Sequence, residues 1–364
     1  MKRGWDDPLF TVKQRKSHRG LVIVLLLLLI FVLITGLINA FVNRQVQVVQ
    51  QSVTIPSLPG GLQNFRILHL SDLHGAYFGK NQEGIASAIR NLRYNIVVIT
   101  GDSTGQDGDF TALTEVLELI DGQVPVFLVA GDEDPPAIQT TARINRQVKA
   151  EYVLAAEKMG AIYLDAPYRL AVNRSTNLWL CPDSLYSSDI ENTRQTLEYN
   201  LKVFSEAEQT EDTQAAVKAF RYRLDVLAKT EQALAEMKST DIKLLVTHIP
   251  YSESNIGDLM YQEGAGLINN ARPVSLVLCG HYVNGQWRIP LAGPVFVPAS
   301  LGLYPKDTWF PEQRRLAGLR AIRGISQYIS PGLGASGLYH PFRFRFMNSP
   351  CVTLLTLTNK LVSP

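Results

Sequence analysis

The segment FRILHLSDLH occupies residues 65–74. Its first six residues, Phe65 to Leu70, read as a buried strand, and Ser71-Asp72-Leu73-His74 ends it with polar groups. The arrangement recurs downstream. NIVVIT (Asn95 to Thr100) ends at Gly101-Asp102, and VPVFLVA (Val124 to Ala130) ends at Gly131-Asp132-Glu133-Asp134. Between these runs, Ile85, Ala88, Ile89 and Leu92 fall at helical spacing, as do Phe110, Leu113, Val116, Leu117 and Ile120. Strands alternating with helices predict an α/β fold with a largely parallel sheet.

The second half repeats the pattern. IKLLVT (Ile242 to Thr247) precedes His248-Ile249-Pro250, and VSLVLC (Val274 to Cys279) precedes Gly280-His281. In open α/β sheets, ligands bind beyond the carboxyl ends of the strands. One carboxylate after a strand is often only a helix cap. Three in register, one accompanied by a histidine, point to a site instead. The collected set is Asp72, His74, Asp102, Asp132, His248 and His281. Mixed carboxylate and imidazole groups suit a divalent ion such as Mn, Fe or Zn. Two such ions about 3.5–4 Å apart can stabilise the attacking and leaving oxygens of a phosphoryl displacement, with a metal-activated water as nucleophile.

The order of these clusters resembles the calcineurin-like metallophosphoesterase superfamily, whose motifs run DxH, GD, GNH[DE], H and GHxH. Here they stand as Asp72-Leu73-His74, Gly101-Asp102, Gly131-Asp132-Glu133-Asp134, His248 and Gly280-His281-Tyr282-Val283. The contexts ILHLSDLH (Ile67 to His74), QYISPGLG (Gln327 to Gly334) and PFRF (Pro341 to Phe344) are similar to the membrane-anchored bacterial branch. The likeness runs from about Val53 to Leu357. It implies two facing β-sheets flanked by helices. It also implies one or two divalent ions, Asp72 and His74 on the first metal, Asp102 bridging, and His248 and His281 on the second with the residue at 132. Asp102, Glu133 and His248 occupy the family's catalytic positions.

Three positions depart from the family pattern. Asp132 replaces an asparagine and adds negative charge to a ligand position. Glu133 replaces a histidine that serves the leaving group or the phosphate. A glutamate acts as a general acid only if its pKa is raised, whereas nearby cations favour the carboxylate. Val283 replaces the second histidine of GHxH, and its side chain cannot ligate a metal. The first metal site is therefore expected to be the weaker one.

The N-terminus carries a separate signal. Residues 21–42, LVIVLLLLLIFVLITGLINAFV, contain no charged side chain, and about 20 such residues span a bilayer as a helix. A cleaved leader would have a shorter apolar core and a small-x-small site, and Ile38-Asn39-Ala40 is a poor one. Lys2, Arg3, Lys13, Arg15, Lys16 and Arg19 precede the run, whereas only Arg44 follows closely. Positive flanks stay cytoplasmic. The expected organisation is a cytoplasmic basic tail over 1–20, a transmembrane helix over 21–42 and an extracytoplasmic phosphoesterase-like domain over 53–358. A helical hairpin insert over 184–240 interrupts the domain. Ile190, Leu197, Leu201 and Phe204 form one stripe of that hairpin, and Val217, Phe220, Leu224, Leu227 and Leu234 the other. The plainest reading is that these stripes bury each other.

Composition narrows the function. A net charge of +2 in 364 residues provides no field to attract nucleic acid, and no nucleic-acid module is present. Three dispersed cysteines form neither a disulfide framework nor a metal knuckle. His69, inside a strand, reads as structural, His340 reads as a surface residue, and Arg314, Arg315, Arg320 and Arg323 as a solvated face. The expected activity is a membrane-anchored, metal-dependent phosphohydrolase acting on phosphoester or pyrophosphate bonds. Its location suits lipid-linked or cell-envelope substrates. The alternative is a catalytically degenerate metal-binding module acting through protein or membrane contacts.

Overall fold

The computed structural model describes residues 19–138, 148–187, 189–260 and 274–360. The chain divides into two compact units, Met1–Phe41 and Val42–Pro364. In the first, helix α1 (Arg19–Arg44, continuing into the second unit) is apolar from Leu21 to Val42, and none of it is buried. Its 26 residues reach about 39 Å at 1.5 Å per residue, which is long enough to cross a membrane. Lys2, Arg3, Lys13, Arg15 and Lys16, used above to orient this helix, lie outside the described residues.

The second unit contains two six-stranded sheets. In chain order its elements are β1 (Gln47–Thr54), β2 (Arg66–Leu70), α2 (Glu83–Ile89), β3 (Ile96–Thr100), α3 (Thr111–Glu118), β4 (Val126–Val129), α4 (Glu151–Lys158) and β5 (Ala161–Tyr163). Then come β6 (Tyr168–Ala171), β7 (Asn177–Pro182), α5 (Ser184–Ser187), α6 (Ile190–Glu206), α7 (Glu211–Glu236), β8 (Ile242–Val246), α8 (Glu253–Met260) and β9 (Leu276–Cys279). Four two-residue strands follow: β10 (Arg288–Ile289), β11 (Gly293–Pro294), β12 (Phe296–Val297) and β13 (Thr308–Trp309). The chain closes with β14 (Gly318–Ile322), β15 (Ile325–Ile329) and β16 (Cys351–Thr358).

One sheet has the order β1-β16-β2-β3-β4-β5 and the other β14-β15-β9-β8-β7-β6. Strands β2 to β5 run parallel to one another, as do β15, β9, β8 and β7. Alternation along each strand sends neighbouring side chains to opposite faces. Ile67, Ile96, Val98 and Phe127 therefore meet Leu180, Leu244, Val246 and Leu278 in one core. Leu68, Leu70, Val97 and Leu128 instead pack with Ile85, Leu113, Val116 and Tyr152 of α2, α3 and α4. Behind the second sheet, Leu245 and Val277 pack with Leu234 of α7. The arrangement is a sandwich of two facing sheets with helices on its outer sides.

Strand β4 begins two residues later than the apolar run suggests. The Val124 amide instead closes a turn onto the Asp121 carbonyl at 2.8 Å. Helices α6 and α7 connect the neighbouring parallel strands β7 and β8. Asp189 and Thr210 cap them, accepting from the amides of Asn192 and Thr213. Phe204 and Phe220 meet between them at 5.4 Å, and Arg194 pairs with Glu231. All three cysteines are free and buried.

Candidate metal centre

All six polar positions lie within four residues of the carboxyl end of a strand, and their strands are parallel within each sheet. Asp72 and His74 follow β2, Asp102 follows β3, Asp132 follows β4, His248 follows β8 and His281 follows β9. The facing of the sheets brings all six to one rim. They form two groups of donors whose atoms lie within 4.8 Å of one another: Asp102, Asp132, His248 and His281, and Asp72, His74 and Asp102. Asp102 belongs to both.

The backbone at this rim is unusual. Asp72, His74, Asp102, His281 and Val283 all have φ between 47° and 80°. Non-glycine residues rarely adopt this region, and such strain collects at functional sites. Two glycines permit the close approach of the loops. A Cβ on Gly131 would lie 2.0 Å from Asp102 Oδ1, and one on Gly280 would lie 1.8 Å from Ser71 Oγ. The segment Pro331 to Gly334 adds a clamp, because the amides of Leu333 and Gly334 donate to the carbonyls of Ser71 and Asp72.

Hydrogen bonds fix which atoms face inward. His248 Nδ1 lies 2.7 Å from the Thr100 carbonyl oxygen. Only a donor satisfies a carbonyl, so Nδ1 carries a proton and Nε2 is the ring atom turned to the carboxylates, where it can hold a cation or, with none bound, a second proton. That Nε2 lies 3.1 Å from Asp102 Oδ2 and 2.9 Å from Asp132 Oδ1. His281 Nδ1 lies 3.1 Å from Asp132 Oδ1 and 3.2 Å from His248 Nε2. Asp102 Oδ1 accepts the Glu133 amide at 2.9 Å, which leaves Oδ2 to face both groups, 3.7 Å from His74 Nε2. Asp72 is held by the His281 amide at 2.8 Å and by the Ser71 hydroxyl.

Ring nitrogens and carboxylate oxygens thus crowd together. Asp102 Oδ2 and His74 Nε2 are buried without a hydrogen-bond partner. Only a proton or a cation relieves such a cluster. The protonation tendencies agree. Burial disfavours a charged His248, yet the carboxylates of Asp102, Asp132 and Asp72 push its pKa well above the ordinary histidine value. Burial would raise Asp132, but His248 and His281 hold it well below the usual carboxylate range. Burial, the largest influence on Asp72, keeps that carboxyl above its ordinary value. The donor set fits a divalent cation, with imidazole and carboxylate groups in a partly closed site.

Glu133 sits at the edge of the centre, with Oε1 4.0 Å from His74 Nδ1. Its carboxylate is already engaged: Oε1 accepts the Ser336 hydroxyl at 2.6 Å and Oε2 the Gly337 amide at 2.7 Å. Asp134 accepts the Thr104 amide, the Thr104 hydroxyl and the Gly131 amide, and so shapes the loop. Val283 is fully buried, and its carbonyl accepts from Asn348 Nδ2 at 2.9 Å. Among the described residues, the Asp72 group gains no fourth donor of the His, Cys, Asp or Glu type.

Sequence reasoning missed the Thr100 carbonyl, Ser71, and the pair Ser336 and Gly337. A backbone carbonyl has no side-chain signature, and Ser336 lies more than two hundred residues from Glu133. His69 is structural, as expected: it is buried, with Nε2 2.8 Å from Thr100 Oγ1. His340 is exposed.

The calcineurin-like phosphoesterase family model matches residues 65–285, a span that begins at β2 and ends just past His281. The chain belongs to that family. Among solved structures, the phosphopantetheinyl hydrolase of Mycobacterium tuberculosis is similar at 13% identity and a TM-score of 0.38, over 83% of this chain and 99% of that one. No curated protein matches. As a calcineurin-like phosphoesterase, the chain has Asp and His groups suited to a divalent metal and a phosphorylated substrate as its expected ligand.

Proposed function

We propose that this chain is a membrane-anchored, metal-dependent phosphohydrolase that cleaves phosphoester or pyrophosphate bonds. The observation that supports it most is the shared carboxylate: Asp102 Oδ2 faces both donor groups at the rim where the parallel strands end. When bound there, divalent ions supply an acidified water nucleophile and positive charge for the phosphoryl oxygens. Asp102 joins the two positions. Asp132, His248 and His281 complete the four-donor position, while Asp72 and His74 complete the three-donor one. The Thr100 carbonyl orients His248, as a second partner typically does for a ligating imidazole.

Glu133 works in this reading as a positioning residue. Its bonds to Ser336 and Gly337 tie the C-terminal loop to the rim, and no proton transfer is assigned to it. Helix α1 is a retained anchor, and the basic residues before it keep the N-terminus in the cytoplasm. The phosphoesterase domain then faces outward, where lipid-linked or cell-envelope phosphates are within reach.

Phosphate release from p-nitrophenyl phosphate by the full-length protein in detergent with manganese tests the reading. Turnover should disappear in Asp102→Asn and persist in the parent. Wild type that is inert while binding metal would favour the second reading, a degenerate metal-binding module. The buried Val283 and the engaged Glu133 are what keep that reading in view.

A further inference from the structure

Apolar side chains scattered singly over a surface need no explanation, but a continuous exposed patch marks a surface that something covers. Three loops of the second unit build such a patch. The hairpin β10–β11 carries a fully exposed Leu291 at its tip. Trp309 and Phe310 are 66% and 68% exposed, and Phe342 and Phe344 are exposed as well. Aromatic rings join these pieces. Trp287, at the foot of the hairpin, lies 6.1 Å from Phe342, 6.2 Å from Phe344 and 5.3 Å from Tyr339. Tyr339 meets Phe296, and Phe296 meets Trp309 at 4.8 Å. Basic side chains are interleaved: Arg343 stands between the two phenylalanines and Lys306 three residues before Trp309, both exposed.

The attachment of the chain says what covers this face. Asn43 is the first residue after the apolar run 21–42, and its Nδ2 donates to the Arg345 carbonyl at 2.6 Å. Both residues belong to the second unit. The chain therefore leaves the apolar run directly beside the segment that carries Phe342, Arg343 and Phe344. A bilayer that holds residues 21–42 comes within reach of the patch whichever way α1 leans. Exposed rings with interleaved cations are also the composition of a membrane–water interface. There the rings sit at headgroup level, and the cations meet lipid phosphates.

We propose that this aromatic face seats in the headgroup region of the bilayer that carries α1, so that the phosphoesterase domain lies against the membrane surface. The proposal rests on the anchor reading above and not on hydrolysis. The same face borders the metal centre. A Cβ on Gly337 would meet both Glu133 Oε2 and Arg343 Cζ, so the arginine of the patch adjoins the turn that holds Glu133. The three-donor edge of the centre is then the edge next to the seated face, and phosphates carried by lipids are the ones nearest to it.

Tryptophan fluorescence of the full-length protein in phosphatidylcholine–phosphatidylglycerol vesicles tests this, with and without lipid brominated near the top of its chains. A Trp5→Phe background leaves Trp179, Trp287 and Trp309, and Trp179 is buried. Interfacial side chains sit about 5–10 Å into the headgroup boundary, so brominated lipid should quench the emission about twofold. Adding Trp309→Phe, which keeps a ring against Phe296, should remove most of the quenched component. Leu291→Asp, at an open tip where no packing is lost, should reduce quenching several-fold. Emission that brominated lipid leaves unchanged would overturn the proposal. So would a Trp309 shielded from aqueous acrylamide yet untouched by bromine, which would put a protein partner or a second copy on the face. Anchoring is read separately, by flotation of the vesicles after alkaline washing. Protein that floats with Trp309 unquenched refutes the seating alone, and quenched protein that washes off refutes the retained anchor alone.

Discussion

The two donor groups share Asp102 and little else. One draws Asp132, His248 and His281 from both sheets, and its ring nitrogens and carboxylate oxygens converge to 2.9–3.2 Å. The other has only Asp72 and His74 besides Asp102, with His74 Nε2 at 3.7 Å from the shared oxygen. The buried Val283 lies two residues beyond His281, where the family places its remaining histidine. A cation gains from every anionic or lone-pair donor it meets, so the four-donor group would be the tighter site for a metal and the three-donor group the weaker. The centre is lopsided.

The sharpest way to break this comparison is to remove what the groups share. Asp102→Asn removes the bridging charge from both. Activity on an aryl phosphate should fall by about three orders of magnitude. Bound manganese, measured by elemental analysis after dialysis, should fall in step. A variant that keeps full metal content and turnover would show that Asp102 bridges nothing.

Acidity separates the groups next. With no cation bound, Asp102, Asp132 and Asp72 raise the His248 pKa. A metal must therefore displace a proton from that ring, and affinity must rise with pH while the metal-free His248 stays protonated. One proton released gives about a tenfold gain per pH unit. Manganese titrations between pH 6 and 8 would show this slope. A flat profile would mean that His248 does not hold the ion.

Much of this centre was legible in the sequence. The strand runs and their polar ends place Asp72, Asp102, Asp132, His248 and His281 at one rim because parallel strands share a direction. Periodicity could not show the contacts made across long separations. Glu133 reads as a failed catalytic histidine until Ser336 and Gly337 are seen on its carboxylate. The Thr100 carbonyl that orients His248 belongs to the backbone, so any residue at that position would supply it. Leu197 and Leu227 are buried, as their spacing suggests.

Val283→His tests whether the weak group is weak for lack of one ligand. Valine at φ 49° is strained, because a β-branched side chain crowds the left-handed region, and histidine tolerates that region better. The new ring would arrive at a position the backbone already sets. Metal content should rise from one ion to two per chain, with turnover increasing several-fold. A stoichiometry that stays at one would place the deficiency elsewhere, in the 3.7 Å spacing between His74 and Asp102.

The smallest effect distinguishes a positioning Glu133 from a chemical one. Its carboxylate accepts two short hydrogen bonds from the 336–337 turn, and its amide donates to Asp102 Oδ1. Glu133→Ala leaves the Ser336 hydroxyl and the Gly337 amide without their acceptor, and should destabilise the domain by about 1–3 kcal/mol in thermal or urea unfolding. Glu133→Gln keeps one acceptor oxygen and a similar shape, and should recover most of that loss with kcat unchanged. The amide backbone that touches Asp102 is present in both variants, so neither perturbs the bridge directly. If the glutamine variant were as stable as the parent but slower by a hundredfold, the carboxylate would be moving a proton, and the lopsided centre would have a chemical partner on its incomplete side.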